Sequence, residues 1–318
     1  MISIGQWWMW LIFFGIISLM ILADIFLLGG GKSHRVSTKE AAIWISVWVS
    51  VALGFNLGLW IYLKDTMGLQ EANLKATEFL TGYLIELSLS VDNLFVFILI
   101  FNYFKVPPEY QRRTLLFGVL GAIIMRLIFI TLGVYLVSKF HWILYLFGVF
   151  LVYTGLKILL TPEEPPHLDK NPLIIWASKH LRITKELVKE RFFVKQNGLL
   201  YVTPLFIILM LIEFSDVIFA IDSIPAIFAI TNDPFIIYTS NIFAVMGLRS
   251  MYFLLARMAE LFHYLKYGVA LILVFIGCKM LAGYWFKVPV IITLGVIVLT
   301  LGTCVVISLL HKKKPAPN

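Results

Sequence analysis

Residues Leu205 to Ile230 read LFIILMLIEFSDVIFAIDSIPAIFAI. The stretch is apolar and long enough to cross a bilayer, yet it carries Glu213, Asp216 and Asp222. A carboxylate in the hydrocarbon costs at least about 2.5 kcal/mol, so three on one span need a partner or a purpose. Tyr83 to Phe101, YLIELSLSVDNLFVFILIF, has the same rhythm. Its Glu86 and Asp92 stand six residues apart, as do Asp216 and Asp222.

The whole composition agrees with a membrane setting. Of 318 residues 60% are hydrophobic and only 14% charged, with mean hydropathy +0.92. A soluble domain is about a quarter charged. The net charge of +8 does not indicate a nucleic-acid partner, because the basic residues sit in short loops between apolar runs, as topology determinants do. Cys278 and Cys304 both fall inside apolar runs. Two isolated cysteines suggest neither a disulfide framework nor a thiolate metal site, and read as small buried hydrophobes. The start, MISIGQWWMW, has no basic region ahead of its apolar run and reads as an uncleaved first span with interfacial tryptophans.

Hydropathy predicts an all-α polytopic protein of about nine spans: 7–29, 40–63, 77–104, 113–137, 141–160, 200–230, 235–256, 264–283 and 288–310. With the N-terminus outside, eighteen of the 26 basic residues fall on the inner side and four on the outer, which predicts an N-out, C-in topology. The long inner loop, with TPEEPP at one end and QNG at the other, holds LIIWASKHLRI, the candidate for a short surface helix.

The four remaining basic residues, Arg126, Lys157, Arg249 and Lys279, lie within spans and expose a repeat. Aligning Glu86 with Asp216 and Asp92 with Asp222 brings Asn93 onto Ser223. Arg126 and then Lys157 follow in the first copy, Arg249 and then Lys279 in the second. YLFGVFLVYTGLKILL and YGVALILVFIGCKMLA share their G-x-K core. Three spans per copy is an odd number, so the copies cross in opposite directions, as in transporters with inverted-topology repeats. The expected organisation is residues 1–76 as two N-terminal spans, 77–160 as the first repeat, 161–199 as a cytoplasmic loop, 200–284 as the second repeat and 285–318 as a final span with a basic tail.

Six acids lie within spans: Asp24, Glu86, Asp92, Glu213, Asp216 and Asp222. Six residues turn a straight helix by about 240°, so Glu86 and Asp92 share a face only if the helix unwinds; Pro225 offers a cause in the second copy alone. Inversion predicts two tiers, Glu86 level with Asp222 and Asp92 level with Asp216. Glu213 stands one turn further inward, where the first copy has Tyr83. One outcome is internal neutralisation, with four cations pairing four acids and the rest protonated. The other is a cation site. None of the six histidines lies deep in a span, so the available ligands are carboxylates, Asn93 and hydroxyls. That hard oxygen set suits Mn²⁺, Mg²⁺ or Ca²⁺. Arg126 and Arg249 are expected to hold the carboxylates in place; Asn241 reads as interhelical hydrogen-bond glue, with a place facing the site as the alternative. Asp24 reads as an interfacial acid, Lys157 and Lys279 as snorkelling cations. There is no GxGD motif, and no catalytic arrangement explains the repeated pattern, so the chain does not read as an enzyme.

LIELSLSVDNLFVF, QRRTLLFGVLGAIIMR, LIEFSDVIFAIDSIPAIFAIT and GLRSMYFLL resemble the TerC family, in its Alx branch, over about residues 7–310. The resemblance, to a family grouped with LysE-type exporters, implies a bacterial inner-membrane Mn²⁺ exporter with ligands at Glu86, Asp92, Glu213, Asp216 and Asp222. Carboxylates that exchange the ion for protons would couple export to H⁺ antiport. No covalently bound cofactor is expected. The alternative is a non-transporting scaffold, or a redox or tellurium-stress modulator, whose buried ion pairs are structural.

Overall fold

The computed structural model describes residues 3–27, 37–140, 142–160, 172–184, 186–196, 198–258, 265–283 and 288–310. Within its helices the side chains of Asp92, Pro172, Ile175, Ser178, Asp222 and Leu309 are outside that description. The loop cations Lys32, Arg35, Lys170, Lys185 and Lys287 and the tail lysines 312–314 lie outside the described residues too.

The chain is a helical bundle. Its helices are α1 (Trp7–Leu27), α2 (Thr38–Met67), α3 (Leu69–Tyr103), α4 (Pro108–Lys139), α5 (Ile143–Leu160), α6 (Pro172–His180), α7 (Pro204–Phe228), α8 (Pro234–Met246), α9 (Leu248–Met258), α10 (Leu265–Ala282) and α11 (Val290–Leu310). Among the described residues eight helices are long and apolar enough to cross a membrane. The seventh of the nine expected spans, 235–256, is instead two helices that meet at Gly247. Apart from Tyr238, every residue from Phe235 to Ser250 is buried in protein. A broken backbone is tolerated at membrane depth where protein covers it.

Two helix starts also differ from expectation. Ser37 caps α2, accepting from the Glu40 N–H at 3.1 Å while Glu40 accepts from the Ser37 N–H at 3.4 Å. α2 then runs without a loop into α3, the two joined by Gly68 at φ +92°. α3 therefore begins at Leu69, not 77, and its 35 residues rise about 52 Å, well beyond the roughly 30 Å hydrocarbon core.

α3 is the central strut, packing on α2, α7, α8, α9 and α11, while α7 packs on α3, α4 and α5. Both α3 and α7 are continuous across their acids, so the unwinding that would bring Glu86 and position 92 onto one face is not present. Pro225 lies in the last turn of α7, where the helix closes with the Ala229 N–H on the Pro225 carbonyl. The proline thus ends a helix and does not interrupt one.

α5 and α10 meet backbone to backbone. A Cβ on Gly155 would meet the Ala270 carbonyl and Val274, and one on Gly277 would meet the Gly148 carbonyl and Val152. The same chain shift relates Gly155 to Gly277, Gly148 to Ala270 and Val152 to Val274, so each contact is the counterpart of the other. The inner loop holds the expected helix, α6, and an unexpected antiparallel hairpin, β1 (Phe193–Gln196) with β2 (Leu199–Val202). Its turn contains Gly198 at φ +78°. Asn-Gly between two short strand-forming runs, FVKQ and LLYV, is the local signal for such a turn.

Candidate ion site

Glu86 of α3, Arg126 of α4 and Asn241 of α8 come together in the interior, none more than 2% exposed. The Arg126 guanidinium forms a short ion pair with Glu86 Oε1 and donates to Asn241 Oδ1 at 3.0 Å. The Asn241 amide in turn donates to Glu86 Oε2 at 2.7 Å, and Ser90 donates to Oε1 at 3.3 Å. Both oxygens of Glu86 are therefore occupied. A buried ion pair is tolerated when further hydrogen bonds support it, and here Asn241 and Ser90 supply them to the carboxylate. The expectation that Arg126 holds a carboxylate matches this geometry, and so do both readings of Asn241, which bonds across helices and faces the site.

α7 presents the opposite condition. Asp216 is 4% exposed and lies within electrostatic range of Arg126 and Glu86, yet among the described residues its Oδ1 has no hydrogen-bond partner. Glu213 is half-buried and also leaves an oxygen, Oε2, without a partner. Ser223, 2% exposed, leaves its Oγ bare. Positions 213, 216 and 223 fall within about 80° of arc on an α-helix and span about 15 Å along it. Three buried oxygens thus line one face of α7 without partners, a condition that proteins rarely leave unexplained.

The face is shaped by a residue that the sequence does not single out. A Cβ on Gly121 of α4 would overlap the Glu213 carboxylate. α4 packs on α7, and the glycine supplies the room in which that carboxylate sits. A glycine in an apolar span facing an acid is a weak signal until the packing partner is known.

Other expected residues stand elsewhere. Arg249, expected at the site carboxylates, is 2% exposed and lies instead against Asp24: it donates to the Asp24 carbonyl at 2.8 Å, and its Nη2 is 2.8 Å from Oδ1, an ion-pair contact without hydrogen-bond geometry. Asp24 is accordingly not an interfacial acid: it is 4% exposed, because α1 carries it against a buried guanidinium. Asn93 is buried on α3, and Lys157 is exposed on α5. Lys279 lies within electrostatic range of Glu78. Glu78 belongs to a second network that the sequence does not reveal, accepting from Lys75 at 3.0 Å and from Thr231 at 2.7 Å. That network ties the turn between α7 and α8 to the start of α3. Positions 92 and 222 lie on α3 and α7; their side chains, and with them the two-tier pairing, lie outside the described residues. Among the described residues, no three His, Cys, Asp or Glu side chains are grouped to hold a metal ion. What the site offers is a row of hard oxygen donors beside a saturated ion pair.

A bundle of membrane-crossing helices with buried, unpartnered acids defines a polytopic membrane protein with an intramembrane polar site. The chain belongs to the TerC family: the profile of the "Integral membrane protein TerC family" matches residues 71–316. It is 49% identical over 317 residues, 99% of each chain, to "Putative membrane-bound redox modulator Alx" of Photorhabdus laumondii. It is 51% identical over 295 residues to the protein of that name in Escherichia coli K12, covering 93% of this chain and 92% of that one. An "Uncharacterized membrane protein STKORF319" of Myxococcus xanthus is 43% identical over 316 residues, 99% of this chain and 96% of that one. No solved structure matches. The protein is therefore an integral multi-pass membrane protein of a bacterial family.

Proposed function

We propose that the protein exports a hard divalent cation, Mn²⁺ first among them, from the cytoplasm across the bacterial inner membrane. The observation that carries this reading is the row of unpartnered oxygens on α7: Glu213 Oε2, Asp216 Oδ1 and Ser223 Oγ. Buried acceptors without donors cost about 1–3 kcal/mol each, more when charged. A cation shedding part of its hydration shell is the ligand that such acceptors fit. Oxygen-only chemistry suits Mn²⁺ and disfavours Cu⁺. The excess of basic residues in the inner loops supports an N-out, C-in topology, which makes Glu213 the inward end of the row and Ser223 the outward end. Asp92 and Asp222 complete the site in this reading, as the resemblance implies.

The protein would work as two inverted three-span repeats, α3–α5 and α7–α10 with α8 and α9 together forming one span, that rock about their contact. The matched glycine contacts of α5 and α10 support that arrangement. Carboxylates that release the ion could take up protons in its place, giving H⁺ antiport. The test is Mn²⁺ flux in proteoliposomes, wild type against Asp216→Asn, Asp92→Asn and Asp222→Asn, each checked for folding by gel filtration. Flux lost in well-folded variants supports the proposal, and flux that ignores an imposed pH gradient removes the coupling. No wild-type flux above empty liposomes under several gradients would overturn it.

The redox name carried by the relatives is the specific observation for a second reading, a non-transporting modulator. Cys278 and Cys304 are free. Cys304 packs against Gly268 of α10, ten residues before Cys278. Ten helical residues rise about 15 Å, and a disulfide needs Cα atoms within roughly 7 Å. An intrachain dithiol switch does not fit that geometry.

A further inference from the structure

The two repeats treat related acids differently, and the difference has an identifiable cause. Glu86 has two strong partners, Arg126 and Asn241. Asp216, its counterpart, has an oxygen with none. The counterpart of Arg126 is Arg249. In the register set by that pair, the counterpart of Asn241 is Gly118, which has no side chain to offer. The amide is therefore missing by sequence. The guanidinium is not missing; it is turned to α1, where Asp24 holds it.

In the proposed repeat α9 stands where α4 does, so the reach of Arg249 is read by analogy from that of Arg126. α4 packs on α7, and Arg126 extends past that contact to Glu86 on α3. α9 packs on α3. The related reach for Arg249 runs past α3 to Asp216 on α7. Arg249 also leaves its Nε without a partner, although the residue is 2% exposed. Asp24 thus satisfies only part of a buried guanidinium, and α1 lies outside both repeats.

We infer that Asp24 is a positioning residue: by holding Arg249 it keeps that guanidinium off Asp216 and so leaves Asp216 free to bind a cation. The inference rests on the ion-transport reading and on the repeat register proposed above. It assigns α1, which neither repeat contains, a role in the site. If Arg249 paired with Asp216, the carboxylate would be saturated as Glu86 is, and a divalent cation would meet a resident positive charge. The described arrangement is then the cation-ready one, and exchange of Arg249 between Asp24 and Asp216 would switch the site off.

The test is thermal unfolding of the purified full-length protein in detergent, in a chelator and then with added Mn²⁺. In the chelator, Asp24→Asn should stay folded, because the freed Arg249 finds Asp216. Asp24→Asn with Asp216→Asn should lose more stability than the two single losses combined, and adding Arg249→Gln should restore it. Additive losses would overturn the inference. So would an Asp24→Asn protein that fails to fold, whether or not Arg249→Gln rescues it, since Arg249 would then have found no second partner. With Mn²⁺, the wild-type melting temperature should rise. Asp24→Asn should need about tenfold more metal for the same rise, and Asp24→Asn with Arg249→Gln should return to the wild-type response. An Asp24→Asn response equal to wild type would overturn the positioning role. A wild type that ignores Mn²⁺ would sink the ion reading instead, while the metal-free series still decides where Arg249 goes.

Discussion

Glu86 and Asp216 sit at related places on α3 and α7, yet they live in different chemical conditions. Glu86 is locked by a guanidinium and an amide, both buried. Asp216 is as deeply buried and keeps an oxygen bare. An acid bonded through both oxygens is a structural element: it fixes α3, α4 and α8 against one another. A bare acid adds little to the packing and is available to a ligand. The contrast separates side chains that form the frame from side chains left open to a ligand.

The largest effect should fall on the frame. Arg126→Gln leaves Glu86 as an uncompensated buried charge, which costs about 3–5 kcal/mol. A large fall in melting temperature, or loss of the monodisperse gel-filtration peak, is the expected result. Asp216→Asn removes a charge that lacks full compensation, so its cost should stay below about 1 kcal/mol while Mn²⁺ flux disappears. Should Asp216→Asn destabilise the protein as much as Arg126→Gln, the contrast between frame and site is wrong.

The next effect tests whether the two halves share one plan. Gly155→Ala and Gly277→Ala each drive a methyl into the backbone of the facing helix. Overpacking of this kind costs about 1–3 kcal/mol, and the two variants should match each other in melting temperature. A methyl at Gly54 of α2 would meet nothing within 4 Å, so Gly54→Ala serves as the control and should be near neutral. A large difference between the two α5–α10 variants would argue against a pseudo-symmetric contact.

Much of this is readable in the sequence, for a physical reason. Membrane spans announce themselves by length and apolarity, and an acid inside one is conspicuous against that background. Glu213, Asp216, Arg126 and Asn241 all stand out that way. What escapes is anything set by packing between distant helices. The break at Gly247 depends on how thoroughly α8 and α9 are covered by protein. The partner of Arg249 depends on where α1 lies, and nothing in the residues around Asp24 signals burial beyond its place near a span end. Gly121 carries no chemistry of its own, and its use emerges only when α4 meets α7. The Asn-Gly turn of the hairpin is a local signal, legible in principle but easily lost inside a long polar loop.

A smaller effect should come from filling the room beside Glu213. Gly121→Ala places a methyl where that carboxylate sits. Glu213 ends a flexible side chain and can swing aside, so stability should change by less than about 1 kcal/mol. Flux, in contrast, should fall several-fold at subsaturating Mn²⁺ and recover in part as Mn²⁺ is raised, because the bare oxygen nearest the proposed cytoplasmic entrance is displaced. Unchanged flux in Gly121→Ala would show that Glu213 is not on the ion path and would shorten the working row to Asp216 and Ser223.

The smallest effect should come from the cysteines, and its smallness is informative. Cys278 is exposed on α10 and Cys304 half-exposed on α11, separated by a stretch of helix too long for a disulfide. Replacing both with alanine should change flux and melting temperature by no more than a typical surface substitution, within about 0.5 kcal/mol. Cys304 is the stricter half of the test, because its sulfur packs against Gly268 and any effect should trace to that contact. A double variant that folds like wild type but loses its cellular phenotype would give the thiols a role that neither the ion row nor the frame supplies. A double variant that keeps it removes chemistry on the protein's own sulfur as the source of any redox behaviour.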